Sequence, residues 1–141
     1  MSKTGADHLR RLDDGRTIYI DGERVTQPAR HSAFRRGVET VARLYDVQAA
    51  AAETMTFDSP TSGRRVGLHW KLPTCHADLV ARRLAMTRWS RETCGFFGRS
   101  PDHIPTSVCG MLMALDRFER HGSARACALQ GWFEHARDQD L

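Results

Sequence analysis

The sequence lacks the signals that assign a chain to several common functional classes. Its 141 residues contain no apolar run of membrane-spanning length, and residues 1–16 are polar and charged rather than a secretion signal. The glycine-rich loops of Rossmann and P-loop folds and the serine motif of α/β-hydrolases are also missing. We therefore predict a cytoplasmic protein without any of these folds.

Metal-binding and disulfide patterns are missing as well. The four cysteines form no C-x-x-C pair, and no two of the seven histidines stand four residues apart. A zinc site is therefore not predicted, and disulfides are not expected without a secretion signal. We expect four reduced thiols, mostly on buried helix faces: Cys75, Cys94, Cys109 and Cys127.

The charge is basic but not clustered. The net charge is +4 with an isoelectric point near 9.2, and no Lys/Arg run exceeds two residues. Nucleic-acid binders usually carry a clustered basic stripe, so we predict no nucleic-acid or membrane partner. With 40% hydrophobic and 27% charged residues, the composition favours one globular domain over residues 1–141.

Turn and capping signals divide the chain into helices and two small hairpins. Thr4 and Asp7 have the spacing of a capping box, and Asp21-Gly22 between β-prone runs predicts a tight hairpin. The predicted elements are, in order, a helix over Thr4–Leu12, a hairpin over Thr17–Val25, a helix over His31–Ala52, an irregular hairpin over Thr54–Pro73, and helices over Thr74–Cys94, Ser100–Phe118 and Ser123–Asp138.

Three- and four-residue spacing predicts which faces are buried. Trp70 lies in the irregular hairpin, a segment that we expect to lie across the surface of the helical body. Met111 and Met113 are interpreted as core residues. In the helix from His31 the predicted row is Phe34, Val38, Val41, Tyr45 and Gln48. In the helix from Thr74 it is Leu79, Arg83, Met86, Ser90 and Thr93, broadened by Leu84 and Trp89.

The loop from Gly95 to His103 carries most of the chemistry. Ser100 before Pro101 predicts a helix N-cap, which brings backbone N–H groups and the positive end of a helix to this loop. Arg99 adds a fork of donors, and His103, one turn into the helix, adds a donor or proton carrier. This set suits a carboxylate, a phenolate or another oxyanion.

A plainer interpretation of the same loop stays open. Ser100, Pro101 and Asp102 can serve only to begin a helix, and Arg99 can be a solvated surface charge.

Residues 94–103, Cys-Gly-Phe-Phe-Gly-Arg-Ser-Pro-Asp-His, closely resemble a loop in the large component of 4-hydroxyphenylacetate 3-hydroxylase and related phenol monooxygenases. Three more stretches resemble that family in the same order: residues 14–16 with 19–25, residues 42–46 and residues 57–63. The four ordered matches span nearly the whole chain, so they are specific for the family but not for the substrate.

The resemblance implies a mainly α fold: the helical N-terminal domain of an acyl-CoA-dehydrogenase-like flavoprotein, with one or two small β-hairpins. It implies an FAD-dependent monooxygenase that hydroxylates a phenol such as 4-hydroxyphenylacetate to a catechol. The family takes reduced FAD from a separate flavin reductase, uses no metal and forms homo-oligomers.

The resemblance also assigns roles within the loop. Arg99 and His103 become the catalytic candidates, and the substrate-binding set is Arg99, Ser100, Pro101, Asp102 and His103. Some family members have tyrosine in place of His103, and either side chain can hydrogen-bond a phenolic oxygen. Most flavin contacts belong to parts of the family that this chain lacks.

The departure from the family is one of length. Its members continue into a central β-barrel and a C-terminal helical bundle. We therefore expect the 141 residues alone to be inactive, as a truncated reading frame, a deliberate fragment, or a split subunit completed by a downstream polypeptide.

Two other functions are weighed against this one. One is a non-catalytic helical interaction module derived from the same family. The other is a protein like 4-hydroxybutyryl-CoA dehydratase, a related branch whose iron–sulfur cluster uses paired cysteines in this region. That branch ranks lower because Gly98, not a second cysteine, stands four residues after Cys94.

Overall fold

The structure, a computed structural model, describes residues 2–96 and 101–141. The chain divides into two compact units, Lys3–Ala50 and Ala51–Leu141 together with Ser2. The described residues form seven α-helices and two antiparallel two-stranded sheets, which confirms the mainly α prediction with two small hairpins. Among them, no helix combines the length and apolar character needed to cross a membrane.

The N-terminal unit begins with a capped helix and a tight hairpin, both as predicted. Its elements are α1 (Gly5–Arg11), β1 (Ile18–Ile20), β2 (Glu23–Val25), a 3₁₀ turn (Pro28–Arg30) and α2 (Arg35–Ala50). The Thr4 hydroxyl accepts from the Asp7 amide, and the Asp7 carboxylate accepts from the Thr4 amide. Asp21 and Gly22 both adopt positive φ, 50° and 83°, as the turn between β1 and β2 requires.

Gly5 allows α1 to pack closely on α2. A Cβ atom at Gly5 would lie 2.5 Å from the carbonyl oxygen of Ala42, so no other residue fits without a shift. The Gly5 amide donates to Asp46 at 2.8 Å, and the His8 ring stacks on Tyr45 with centroids 5.2 Å apart. The resemblance stretch 42–46 is therefore the part of α2 that contacts α1.

The predicted helix over His31–Ala52 is too long at both ends. The 3₁₀ turn at Pro28–Arg30 and the turn that follows it delay the start of α2 to Arg35. Ala51, with φ −116° and ψ 36°, leaves the helical region after Ala50. The predicted buried row is confirmed only in part, since Gln48 is buried but Val41 is exposed.

The C-terminal unit contains α3 (Ala52–Met55), β3 (Thr56–Asp58), β4 (Arg65–Gly67), a 3₁₀ turn (Leu68–Trp70), α4 (His76–Glu92), α5 (His103–Met113), α6 (Leu115–Glu119) and α7 (Ser123–Asp138). Strands β3 and β4 pair antiparallel, which confirms the irregular hairpin, and α7 has the predicted bounds.

The Trp70 side chain is buried, a detail that the sequence analysis did not predict. It is only 1% exposed and belongs to the core cluster of Trp70, Val108, Cys109, Phe133 and Ala136. The 3₁₀ turn follows β4 directly and carries the indole inward, where its N–H donates to the Leu141 carbonyl at 3.2 Å. A buried indole needs such an acceptor, and the end of the chain supplies it.

The predicted buried face of α4 is confirmed at Trp89 but not along its main row. Leu79 and Leu84 are 54% and 57% exposed. The buried residues are Asp78, Arg82, Ala85 and Trp89, a row with regular helical spacing. Because half of this row is charged, the apolar pattern pointed to a different face.

The helix predicted to run from Ser100 to Phe118 is divided. Ala114, with φ −117° and ψ 35°, separates α5 from α6. Met111 and Met113 are exposed rather than in the core. The spacing signal continued across this break, so the sequence did not reveal it.

The cysteine burial prediction is wrong for three of the four residues. Only Cys109 is buried, while Cys75, Cys94 and Cys127 are exposed free thiols.

Candidate functional site

The candidate loop begins where α4 ends in a Schellman motif. The Gly95 amide donates to the Ser90 carbonyl at 2.9 Å, and the Cys94 amide donates to Arg91 at 3.5 Å. Cys94 occupies the left-handed position of the motif with φ 52°, where glycine is usual. The predicted end of the helix at Cys94-Gly95 is thus confirmed.

The start of α5 differs from the prediction. The helix begins at His103, and its N-cap is Asp102 rather than Ser100. Pro105, whose ring removes one N–H, lies in the first turn and is buried. His103 is therefore the first residue of the helix and not one turn inside it.

The structure describes three of the five predicted substrate-binding residues. Pro101 and Asp102 are half-buried, and His103 is exposed. The predicted contributions of Arg99 and Ser100 lie outside the described residues. The first turn of α5 itself has no acidic side chain, and Asp102 stands immediately before it.

The Asp102 carboxylate does not cap α5 with its own side chain. It accepts from the Thr106 hydroxyl at 3.3 Å, one turn further along the helix. The Thr106 oxygen in turn accepts from Nη2 of Arg82 at 2.8 Å. Two hydrogen bonds therefore join the residue beside His103 to a buried guanidinium on α4.

Both terminal nitrogens of the Arg82 guanidinium have hydrogen-bond partners. Its Nη1 donates to the Lys71 carbonyl at 2.5 Å and lies 3.4 Å from the Cys109 sulfur. Removing the partners of a buried charge strongly destabilises the folded state. Sequence reasoning assigned no role to Arg82, which the structure places on the buried face of α4 with Asp78 and Trp89.

Asp78 fixes the segment that leads into α4. Its carboxylate accepts from the Lys71 ammonium at 2.6 Å and from the Thr74 amide at 2.9 Å. The hydrogen bond from Lys71, followed by those from Thr74, holds the pKa of Asp78 well below its usual range. Lys71 thus contributes its side chain to Asp78 and its carbonyl to Arg82.

The resemblance stretch 57–63 has a structural role at the end of α7. The Asp138 carboxylate accepts from the hydroxyls of Ser59 and Thr61, and the buried Arg137 donates to Thr61 at 2.6 Å. Partial burial tends to raise the pKa of Asp138. The hydrogen bonds from Ser59, Thr61 and Arg137 outweigh it, so this pKa lies below its ordinary value.

A second polar contact lies beside this one. The buried Asp140 accepts from the Gly67 amide at 2.9 Å and lies 3.8 Å from Nε2 of the buried His69. The His69 ring also contacts Trp89, with centroids 5.0 Å apart. Sequence reasoning assigned no role to His69 or Asp140.

Two open grooves lie in the N-terminal unit. One is lined by residues of the β1–β2 hairpin and the following turn, and the other by residues of α1, the 3₁₀ turn and α2. None of the predicted site residues lines either groove. The candidate site therefore rests on the loop and on the first turn of α5.

Residues 4–141 match the family model described as 4-hydroxyphenylacetate 3-hydroxylase N terminal. The chain is 38% identical over 141 residues to the oxygenase component of 4-hydroxyphenylacetate 3-monooxygenase from Geobacillus sp. (strain PA-9), covering 99% of this chain and 28% of that relative. It is 37% identical over 141 residues to the oxygenase component of 4-nitrophenol 2-monooxygenase from Rhodococcus sp, covering 98% and 26%.

Solved structures of the same family are also similar to this chain. A crystal structure of the oxygenase component of 4-hydroxyphenylacetate 3-monooxygenase complexed with FAD and 4-hydroxyphenylacetate matches with a TM-score of 0.87 at 31% identity, over 99% of this chain and 29% of that one. An archaeal 4-hydroxybutyryl-CoA dehydratase matches with a TM-score of 0.81 at 21% identity, a likeness of fold alone. The chain spans less than a third of the length of the relatives it matches.

Proposed function

Because the chain belongs to the 4-hydroxyphenylacetate 3-hydroxylase N-terminal family, we propose that it is a fragment or subunit of a two-component flavin monooxygenase. The resemblance and the fold class predicted from the sequence are confirmed. The proposed reaction is the ortho-hydroxylation of a phenol such as 4-hydroxyphenylacetate to a catechol. The observation that carries the proposal is the family match over residues 4–141.

The proposed substrate contacts come from one loop. Arg99 and His103 hydrogen-bond the phenolic oxygen and favour its phenolate form, which eases attack at the ortho carbon. Ser100, Pro101 and Asp102 shape the loop and complete the substrate-binding set. The exposed imidazole of His103 at the first position of α5 is available for this contact.

FAD supplies the oxygen chemistry in this proposal, but the described residues alone do not fit a flavin pocket. Among the described residues at the two ends of the loop, Phe96 is 89% exposed and His103 is exposed, so both side chains are open to water. A reactive flavin needs exclusion of water. In this proposal, further polypeptide supplies the walls that exclude water from the site.

The remaining parts of the proposal follow from membership of the family. We propose that residues 1–141 correspond to its N-terminal domain, that a flavin reductase supplies reduced FAD, and that a further polypeptide completes the enzyme. We also propose a cytoplasmic homo-oligomer without a metal cofactor.

Complementation tests the proposal directly. The 141-residue chain is co-expressed with the Geobacillus relative from which the matching N-terminal segment has been deleted, and supplied with reductase, NADH, FAD and 4-hydroxyphenylacetate. We expect catechol formation only in the mixture. Its rate should fall at least tenfold with Arg99→Lys or His103→Phe. Thr87→Val, on the exposed side of α4, serves as the matched control. No catechol from a well-folded mixture would contradict the proposal.

A titration without oxygen asks whether this chain contributes to ligand binding. Reduced FAD is added anaerobically to the chain with and without 4-hydroxyphenylacetate, and flavin fluorescence is followed. Saturable binding that the phenol strengthens would indicate that the chain assembles part of the site. No binding would assign the site to the missing polypeptide.

A second candidate is a non-catalytic interaction module of the same family. The observation that favours it is the exposure of large apolar side chains in the C-terminal unit, among them Leu84, Met113 and Trp132. In the complementation test this candidate predicts a stable complex without catechol formation.

A further inference from the structure

The first turn of α5 is fastened to a buried charge on α4 through one face of the helix. Asp102, Thr106 and Cys109 stand at positions i, i+4 and i+7, so they share that face. Each is joined to the Arg82 guanidinium, two of them directly and Asp102 through Thr106.

The direction of the hydrogen bonds is fixed by chemistry. A guanidinium only donates, so the Thr106 oxygen accepts from Arg82 and its single proton is left for the Asp102 carboxylate. Arg82 is itself fixed by the Lys71 carbonyl. The contacts therefore connect the buried Arg82 guanidinium to Asp102, the residue that immediately precedes His103.

We propose that Arg82 is a positioning residue for the candidate site. Through Thr106 and Asp102 it sets the rotation of the first turn of α5 and thereby the direction of the His103 imidazole. Its connection to phenol binding rests on the proposed function, whereas the ordering of His103 does not depend on which ligand binds.

Three variants and one control separate this role from a general loss of stability. Thr106→Val removes the hydroxyl at nearly constant shape, and Thr106→Ser keeps it. Arg82→Lys keeps the charge but cannot serve the Lys71 carbonyl and Thr106 with one planar fork. Thr87→Val is the matched control, because the Thr87 hydroxyl is exposed and donates to the Arg83 carbonyl.

The first readout is histidine NMR on the 141-residue chain labelled with ¹³C at the imidazole carbons. The chain has seven histidines, and His103→Gln assigns the signal of interest. We expect Thr106→Val and Arg82→Lys to shift and broaden the His103 signal while most of the other six are unchanged. Thr106→Ser restores it, and Thr87→Val has no effect.

The second readout is the dissociation constant of 4-hydroxyphenylacetate in the complemented mixture. We expect about a tenfold increase for Thr106→Val, the effect of losing one hydrogen bond in a relay between charged groups, and recovery to within about twofold for Thr106→Ser. An unchanged His103 signal and an unchanged constant in both Thr106→Val and Arg82→Lys would overturn the inference and leave the proposed function intact.

Failure of rescue by Thr106→Ser would also overturn the inference, since a positioning role requires the hydroxyl. The His103 signal can respond selectively while the phenol binds neither the wild type nor any variant. In that case the proposed substrate is wrong and the positioning role stands. If Thr106→Val fails to fold, the same two measurements are compared between Arg82→Lys and Thr106→Ser.

Discussion

Helices α4 and α7 end in the same backbone motif but use it differently. Both place a non-glycine residue in the left-handed region, Cys94 with φ 52° and Asp140 with φ 48°. At the end of α7 the Leu141 amide donates to Ala136 at 3.1 Å, the equivalent of the Gly95 contact in α4. The sequence predicted no such ending for α7, because no glycine or proline follows it.

The difference lies in the side chain. The Cys94 side chain is exposed and its left-handed backbone has no side-chain contact to offset it among those that the structure describes. Asp140 is buried and its carboxylate accepts from the Gly67 amide. A strained backbone position can therefore be retained because its side chain makes a buried contact, which backbone geometry alone does not show.

Substitution by glycine should separate these two ends most clearly. We expect Asp140→Gly to lower the free energy of unfolding by about 2 kcal/mol, because the buried Gly67 amide loses its acceptor and relief of left-handed strain offsets only part of that cost. Urea unfolding followed by circular dichroism at pH 7 measures the change. Asp140→Asn, which keeps an acceptor oxygen, should lose less than half as much, and a gain in stability for Asp140→Gly would refute this account.

A substitution in the turn between β3 and β4, which contacts the end of α7, should lower stability less than Asp140→Gly does. We expect Ser59→Ala to lower the free energy of unfolding by about 1 kcal/mol, because the buried hydroxyl donates to Asp138. The control is Ser62→Ala in the same turn, where the side chain is exposed. Equal losses in the two variants would mean that the contact with α7 is not what stabilises the turn.

Local signals predicted the elements well, and contacts distant in sequence explain the failures. The Thr4–Asp7 box and the Asp21-Gly22 turn act within a few residues, so the sequence contains the whole cause. Trp70 is buried through a contact with Leu141, seventy-one residues away. No periodicity in the hairpin segment carries that information.

The sequence predicts the candidate site through a motif resemblance that is local, from Cys94 to His103, and this assignment stays a prediction. Arg82 could not be identified in this way, because an arginine on a helix is usually solvated and only its burial beside Thr106 and Lys71 gives it a role. The observed N-cap, Asp102, lies two residues after the predicted one, Ser100, which is within the usual variation of one or two residues at a helix end.

The end of α4 should respond to glycine in the opposite direction. We expect Cys94→Gly to raise the free energy of unfolding by about 0.5 kcal/mol, since glycine adopts the left-handed position without strain but loses more entropy on folding. The same urea experiment measures it, with Cys127→Ala as a control for loss of an exposed thiol. A loss of stability would show that Cys94 has a contact of its own.

Acid should weaken the end of α7 through Asp138, with the smallest of the four effects because this carboxylate retains some contact with water. Its pKa in the folded chain lies below its unfolded value, so its stabilising contribution is complete above the unfolded pKa and is lost as the pH falls through the folded pKa. The free energy of unfolding should therefore fall less steeply in Asp138→Asn than in the wild type as the pH is lowered below about 4. Asp116→Asn, at an exposed ion pair with Arg120 on α6, is the control for the loss of one surface carboxylate. Identical slopes for Asp138→Asn and the wild type would mean that hydrogen bonds to Ser59 and Thr61 do not favour the charged carboxylate, and that the two helix ends differ through Asp140 alone.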